Sequence, residues 1–316
     1  MPPPHPRSHA RREDLLALLA LTLIWGSAFA LIKIAVGEIP PLSLAAGRIA
    51  IGALVLLAVQ AAIGPPLTTL LLPPFGARWR QFLLLGMLGN GIPFVLIGYG
   101  EMRIGSGLAA ILIGTMPLIT LLLAHLFAVE RGLSRNAWAG IALGFIGLSV
   151  LLGPAALNEF RASSGFEVLA QLAIVAGGAS YAATAVYGRV LSLAMPVSVV
   201  AAGSMTASAL VMVPLALAID QPWHLSPGAG SVLAVVTLGL GATALASLIY
   251  FRLLRSVGPT FASLVNYLIP AFGYGLGVVW LDEPVSGREI AALVLILLAI
   301  GLVRAKPAVA QAAQNP

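Results

Sequence analysis

Long apolar stretches alternate with short polar or Gly/Pro-rich breaks along the whole chain. A membrane-crossing helix needs roughly 20 apolar residues. Reading for such runs gives ten, at about 15–35, 42–64, 79–100, 104–128, 137–153, 166–192, 197–219, 231–255, 259–281 and 286–304. The connections are short, apart from Gly64–Arg78, Gly153–Gly165 and Asp220–Gly230. The pattern predicts an all-α membrane protein with ten transmembrane helices.

Composition agrees. The chain is 59% hydrophobic and 9% charged, with a mean hydropathy of +1.01, whereas soluble domains carry roughly 25% charged residues. Lipid is its natural solvent. The net charge of +6 does not mark a nucleic-acid partner, because the positive residues sit one or two at a time between apolar runs, as topology signals do. An N-terminus in the cytoplasm puts Arg7, Arg11, Arg12, Arg78, Arg80, Arg131, Arg135, Arg189, Arg252, Arg255, Arg304 and Lys306 inside. Only Arg103, Arg161 and Arg288 then fall in outside loops. The expectation is a multi-pass protein of the cytoplasmic (inner) membrane with both termini cytoplasmic. Basic residues, the apolar stretch from Leu15 and Ala28-Phe29-Ala30 also resemble a signal peptide. The repeat described next includes this segment, so it is read as the first helix.

The halves of the sequence superimpose. Gly105, Ala109, Pro117, Glu130 and Arg135 each lie 153 residues before Gly258, Ala262, Pro270, Glu283 and Arg288, and Gly86 lies 153 before Gly239. At a shift of 152, Gly26, Phe29 and Ala30 meet Gly178, Tyr181 and Ala182. A mid-helix proline followed by glutamate at a fixed distance is a hard coincidence to obtain. The predicted organisation is a cytoplasmic tail (1–14), a first five-helix repeat (15–153), a linker (154–165), a second five-helix repeat (166–304) and a cytoplasmic tail (305–316). Five is odd, so the second repeat must enter from the opposite face. Inverted repeats are how many transporters obtain two related states.

Trp25-Gly26-Ser27 with Lys33, Arg48 early in the second helix, and Ala109–Pro117–Glu130 echoed by Ala262–Pro270–Glu283 together resemble an EamA-type member of the drug/metabolite transporter superfamily. The resemblance covers about 15–304, and among members it looks most like the YddG-type amino-acid exporters. The chain departs from the common pattern at Leu281-Asp282-Glu283-Pro284, which lacks the usual glycine before glutamate, and at His125. The resemblance implies two inverted five-helix repeats around a central pathway and export of amino acids.

Polar side chains in lipid need partners, so they should face other helices or a water-filled cavity. Residues three or four apart share a helical face. Such stripes nominate Trp25, Phe29, Asn90, Ser180, Tyr181, Thr184, Tyr250, Asn266 and Tyr267 as substrate-binding residues. Helix packing is the plainer reading of any single Ser, Thr or Gly. Pro117 and Pro270 each lie near mid-helix and would free a carbonyl there, as paired hinges or as static kinks. Lys33 and Arg48 lie at the level of Glu101, so an outer latch with Glu101 or Glu38 and snorkelling to headgroups both account for them. His125 stands as a proton-coupling group or as a hydrogen-bonded structural residue. Gly140-x-x-x-Gly144 on the fifth helix is a close-packing signature; with the nearly all-aliphatic tenth helix it belongs outside the pathway.

With no cysteine there is neither a disulfide nor a thiolate metal site. No Asp lies deep in a span, and the Walker A and HExxH motifs are absent, which argues against aspartyl proteolysis, ATP hydrolysis and zinc proteolysis. No cofactor or metal is expected. The function expected is export of small metabolites by alternating access, foremost neutral or aromatic amino acids, with drug-like amphiphiles next. The alternative from another class is an intramembrane serine protease built on Gly178-Ala179-Ser180 with His125 or His224. The partners expected are a small-molecule substrate and membrane lipid.

Overall fold

The computed structural model describes residues 11–71, 75–127, 134–161, 166–191, 195–257 and 264–304. Glu130, Gly258 and Ala262, which carry part of the internal repeat, lie outside them. Among the described residues all regular structure is helical. Helix α1 spans Arg12–Ala35 and α2 Pro41–Ile63. Helix α3, Phe75–Gly86, passes through a π turn, Met87–Gly91, into α4, Ile92–Glu101. Helices α5, Ser106–Ile113, and α6, Met116–Leu126, are separated by Gly114 and Thr115. Then follow α7 (Arg135–Arg161), α8 (Phe166–Leu191) and α9 (Val197–Ile219). Helix α10, Ala229–Thr237, runs through a second π stretch, Leu238–Leu245, into α11, Ala246–Ser256. The last two helices are α12, Val265–Trp280, and α13, Gly287–Arg304.

Seven stretches of the described residues are long and apolar enough to cross a membrane, with Arg135–Leu151 and Val265–Trp280 as shorter apolar helices. Helix α7 differs from expectation by running past Gly153 to Arg161. Its continuation, Ala155-Ala156-Leu157, consists of strong helix formers, which carry the helix on where the proline had marked a break.

Helix ends follow local chemistry. Glu13 and Asp14 occupy the first turn of α1 and Lys33 its last, each the favourable sign for the helix dipole. Helix α2 begins on Pro41, where a missing N–H costs nothing. Large apolar side chains such as Leu19, Leu23, Leu54, Leu210, Leu233 and Leu298 are exposed, the surface that hydrocarbon rather than water accepts. Inside, α1 packs on α12 and α5, α2 on α9, and α8 on α4 and α6. Helices α7 and α13 pack on each other. Gly140 meets the Ala299 carbonyl there, Gly144 meets Leu118 and Ala299, and neither helix contributes a described residue to the central cavity. This is the peripheral position expected of the fifth and tenth spans.

The helix order defines two ends. Asp14 marks one; Glu283, in the loop between α12 and α13, marks the other. Helix α1 runs from the Asp14 end towards the Glu283 end. Helix α8 starts at the Glu283 end, where the Arg103 guanidinium lies 5.6 Å from the Phe166 ring.

Candidate functional site

A cavity of about 430 Å³ lies between α1, α2, α4, α6, α8, α9, α11 and α12. Trp25, Phe29, Asn90, Tyr181, Thr184, Tyr250 and Asn266 all contribute to its wall. The Trp25 and Tyr250 rings lie 5.6 Å apart. The Asn90 and Asn266 side-chain amides have no hydrogen-bond partner among the described residues, so their donors and acceptors remain available to whatever enters. Val200 and Ala201, in the first turn of α9, also line the wall, so the cavity reaches close to the Asp14 end.

Two nominated residues do not reach the cavity. The Ser180 hydroxyl donates to the Leu88 carbonyl at 2.7 Å. The Tyr267 hydroxyl donates to the Ile300 carbonyl at 3.0 Å, towards the peripheral α13. A helical stripe is wide enough to hold both cavity-facing and packing residues, and period alone does not separate them.

The two π turns explain Ser180. A π turn lengthens the hydrogen-bonded ring and leaves a backbone carbonyl short of its helical donor. In the first turn the Leu88 carbonyl, for which Pro93 five residues on has no N–H to offer, accepts from Ser180 of α8. In the second, the Ala242 carbonyl accepts from the Trp25 indole N–H of α1 at 3.0 Å. Each turn thus takes a donor from the helix that opens the other half of the chain, and each supplies wall residues: Gly89 and Asn90 from one, Ala242 and Thr243 from the other. Sequence reading missed both turns, because a glycine-containing apolar run looks the same in α and π geometry. The only signal was the matched pair Gly86 and Gly239, each at or within a turn.

Arg48 departs from its expected peripheral position. It is 5% exposed and lines the cavity. Its guanidinium carbon lies 3.7 Å from the centroid of the Phe94 ring, and its Nε donates to Thr243 Oγ1 at 3.2 Å. It faces the cavity rather than lipid headgroups, and it makes no ion pair with Glu101 or Glu38 among the described residues. Lys33 Nζ donates to main-chain carbonyls, those of Glu101 at 2.7 Å and Ile104 at 2.8 Å, at the C-terminus of α4. The Glu101 side chain is fully buried, and neither carboxylate oxygen has a hydrogen-bond partner.

The prolines differ from one another. Pro117 does not kink a continuous helix; the span breaks at Gly114 and Thr115, and Pro117 falls in the first turn of α6, where its missing N–H is harmless. Pro270 lies inside α12. The two places meet: a Cβ on Gly114 would come within 2.7 Å of the Pro270 ring. Ile113 and Met116 beside the break, and Asn266 and Ile269 before Pro270, all face the cavity.

Glu283 holds the opposite end together. Its carboxylate accepts from the N–H groups of Ser106 at 2.6 Å and Gly107 at 2.9 Å, capping α5 where a helix N-terminus attracts negative charge. Gly105, Gly107 and Gly277 leave the room for it: a Cβ on any of the three would meet its carboxyl group. Asp282 turns the chain back with φ of 52°. That is the left-handed region, in which Asp is tolerated and glycine favoured, and it is the position where this chain lacks the glycine that the family pattern carries. Asp220 accepts from the Ser43 N–H at 2.8 Å and hydroxyl at 2.7 Å in the first turn of α2. Glu38 accepts from the Gly228 N–H at 2.7 Å at the start of α10. Hydrogen bonds from the Ser231 side chain, then from Gly228, hold the Glu38 carboxyl below the usual carboxylate range.

Among the described residues, Ser180, His125 and His224 form no proteolytic arrangement. Ser180 is committed to Leu88. His125 packs edge-on against Trp138, ring centroids 5.7 Å apart, with its buried Nδ1 unpartnered. His224 sits in an exposed loop beside Trp223.

Apolar crossing helices around a solute-sized polar-and-aromatic chamber define a multi-pass membrane protein of the transporter class. The chain belongs to the EamA-like transporter family, which matches residues 12–153 and again 168–305. It is 32% identical over 310 residues to the uncharacterized inner membrane transporter YedA of Escherichia coli K12, with 95% of each chain covered. It is 26% identical over 296 residues to a probable amino-acid metabolite efflux pump of Salmonella typhimurium, covering 91% and 93% of the two chains. Protein PecM of Dickeya dadantii is 26% identical over 233 residues, 74% of this chain and 76% of its own. A crystal structure with 24% identity superimposes with a TM-score of 0.64, covering 93% of this chain and 98% of its own, which shows a shared fold. The family, YedA and the Salmonella relative are described as transporters or efflux pumps rather than enzymes.

Proposed function

We propose that the chain exports neutral, foremost aromatic, amino acids by alternating access, through ten crossings arranged as two inverted five-helix repeats. The observation that carries the substrate reading is the wall itself: Trp25, Phe29, Tyr181 and Tyr250 offer aromatic surface, and Asn90, Thr184 and Asn266 offer amide and hydroxyl groups. Pockets of this kind, mostly apolar with a few placed polar groups, orient small amphipathic solutes. The name of the Salmonella relative and the resemblance to amino-acid exporters agree with it.

Three features support the inverted repeat. The family matches two successive segments. The π stretches Met87–Gly91 and Leu238–Leu245 overlap when the first is shifted by 153 residues. The helix pairs exchange between halves, α1 with α12 answering α8 with α6. In this reading the closed Glu283 end faces outside and the Asp14 end faces the cytoplasm. The Gly114 break and Pro270 serve as the paired hinge.

Counterflow in liposomes with labelled neutral amino acids tests this reading. Exchange of phenylalanine or leucine is expected, and Asn266→Ala should weaken it at unchanged yield of folded protein, while Tyr267→Ala should not alter affinity. Transport of a phosphorylated sugar without neutral amino acids would overturn it. Transport of amphiphilic dyes alone would favour the drug-like reading, which the apolar share of the wall also fits.

A further inference from the structure

Among the described residues Arg48 is the only charged side chain in the cavity wall; the buried Glu101 carboxylate acts on it through space from outside the wall and makes no ion pair with it. A buried cation without a contacting ion-pair partner is costly unless its N–H groups are hydrogen-bonded. The protein meets only part of that need. The Phe94 ring covers one face of the guanidinium at 3.7 Å, and Thr243 takes the Nε–H at 3.2 Å. Among the described residues, Arg48 makes no other hydrogen bond and no ion pair with an acid. Its two terminal nitrogens, four N–H groups in a planar fork, are therefore left without a protein acceptor at the edge of a chamber. Phe94 and Thr243 fix the plane of that fork, so what is missing is an acceptor with two oxygens.

We infer that Arg48 anchors the carboxylate of the transported solute through the two terminal nitrogens of its guanidinium, so that a free carboxylate on an apolar body defines the substrate class. The inference rests on the proposed amino-acid function, which it sharpens, since the stripes of amide and hydroxyl groups alone do not distinguish an amino acid from its amide or from an amine. A carboxylate matches the fork with two parallel charge-assisted bonds. The apolar body then lies against the aromatic wall formed by Trp25 and Tyr250. A substrate amine has only neutral acceptors to meet, among them Asn90 and Asn266, so it contributes less to recognition than the carboxylate does.

The test is binding to the purified full chain in detergent, followed by thermal shift and by competition in counterflow. The probes are phenylalanine, phenylalaninamide, phenethylamine and 3-phenylpropionate. Phenylalanine and 3-phenylpropionate should bind, and the amide and the amine should bind at least about tenfold more weakly. Arg48→Gln should abolish the preference of phenylalanine over its amide, and Arg48→Lys should keep it in weakened form. Equal binding of phenylalanine and its amide to the unmodified chain would overturn the anchor, and that comparison does not depend on a variant folding. So would Arg48→Gln that folds and retains the preference. Binding of 3-phenylpropionate without any amino acid would leave the anchor standing and remove the amino-acid reading. Binding of none of the four would remove both.

Discussion

At the Glu283 end, four charged side chains from four places in the chain each close onto the terminus of another helix. Glu283 caps α5, Asp220 bonds in the first turn of α2, Glu38 meets the start of α10, and Lys33 meets the end of α4. Every sign is the one that the helix dipole favours. At the Asp14 end, the described long-range bonds between charged or hydroxyl side chains and their partners include Arg252 to Glu13 at 2.9 Å and Ser256 to Asp14 at 2.8 Å, between α1 and α11, and Tyr267 to the Ile300 carbonyl at 3.0 Å, between α12 and α13. None of them puts a charge on a helix terminus. The Arg252–Glu13 pair is largely exposed, at 63% and 70%. The difference teaches what each end is built to do. Charges docked on helix ends give a seal that either holds in one geometry or lets go, whereas an exposed ion pair constrains little. The cavity accordingly extends to the first turn of α9 at the loosely held end.

If that contrast is right, the ends should respond differently to the loss of one charge. Glu283→Gln should lower stability by about 2 kcal/mol, since two charge-assisted bonds to backbone N–H groups are weakened at once. Arg252→Gln should cost under about 1 kcal/mol, the ordinary worth of an exposed pair. Thermal unfolding of both variants in one detergent compares them directly, and equal losses would erase the distinction. Asp282→Gly should act in the other direction. Relieving a left-handed non-glycine residue gains more than the added freedom of the unfolded chain costs, so a rise of about 0.5 kcal/mol is expected. A fall would mean that the Asp282 side chain holds the turn.

The smallest effect concerns pH. Because hydrogen bonds hold Glu38 below the usual carboxylate range, the folded chain binds that proton less readily than the unfolded one. Its contribution is present at neutral pH and is lost as pH falls through the depressed value. The difference in melting temperature between the natural chain and Glu38→Gln should therefore shrink on acidification. A difference that persists at low pH would assign the effect to packing.

Much of the architecture was legible in the sequence, for a physical reason. Hydrocarbon accepts only apolar helices, so hydropathy marks them, and the repeated proline-glutamate spacing marked the halves. The site was legible only by its residue types. Arg48 lies seven residues beyond Pro41, about 10 Å along a helix, which gives its depth but not whether it faces lipid or the chamber. Glu283 was noticed for its missing glycine, yet its partners Ser106 and Gly107 are 177 and 176 residues away, and no local pattern announces such a bond. The π turns were invisible because they change the register of a face without changing its composition. With them went the role of Ser180.

The proposed reading is a solute chamber sealed at the Glu283 end, taken to face outside, and reached from the Asp14 end, taken to face the cytoplasm. The chain has no cysteine, so one introduced thiol reports without background. Ser204→Cys places it in the cavity wall on α9 with little change in size. Labelling by a membrane-impermeant thiol reagent should proceed only from the cytoplasmic face, in inside-out vesicles, and phenylalanine should slow it. Labelling from the outer face, or labelling that no amino acid affects, would contradict the account.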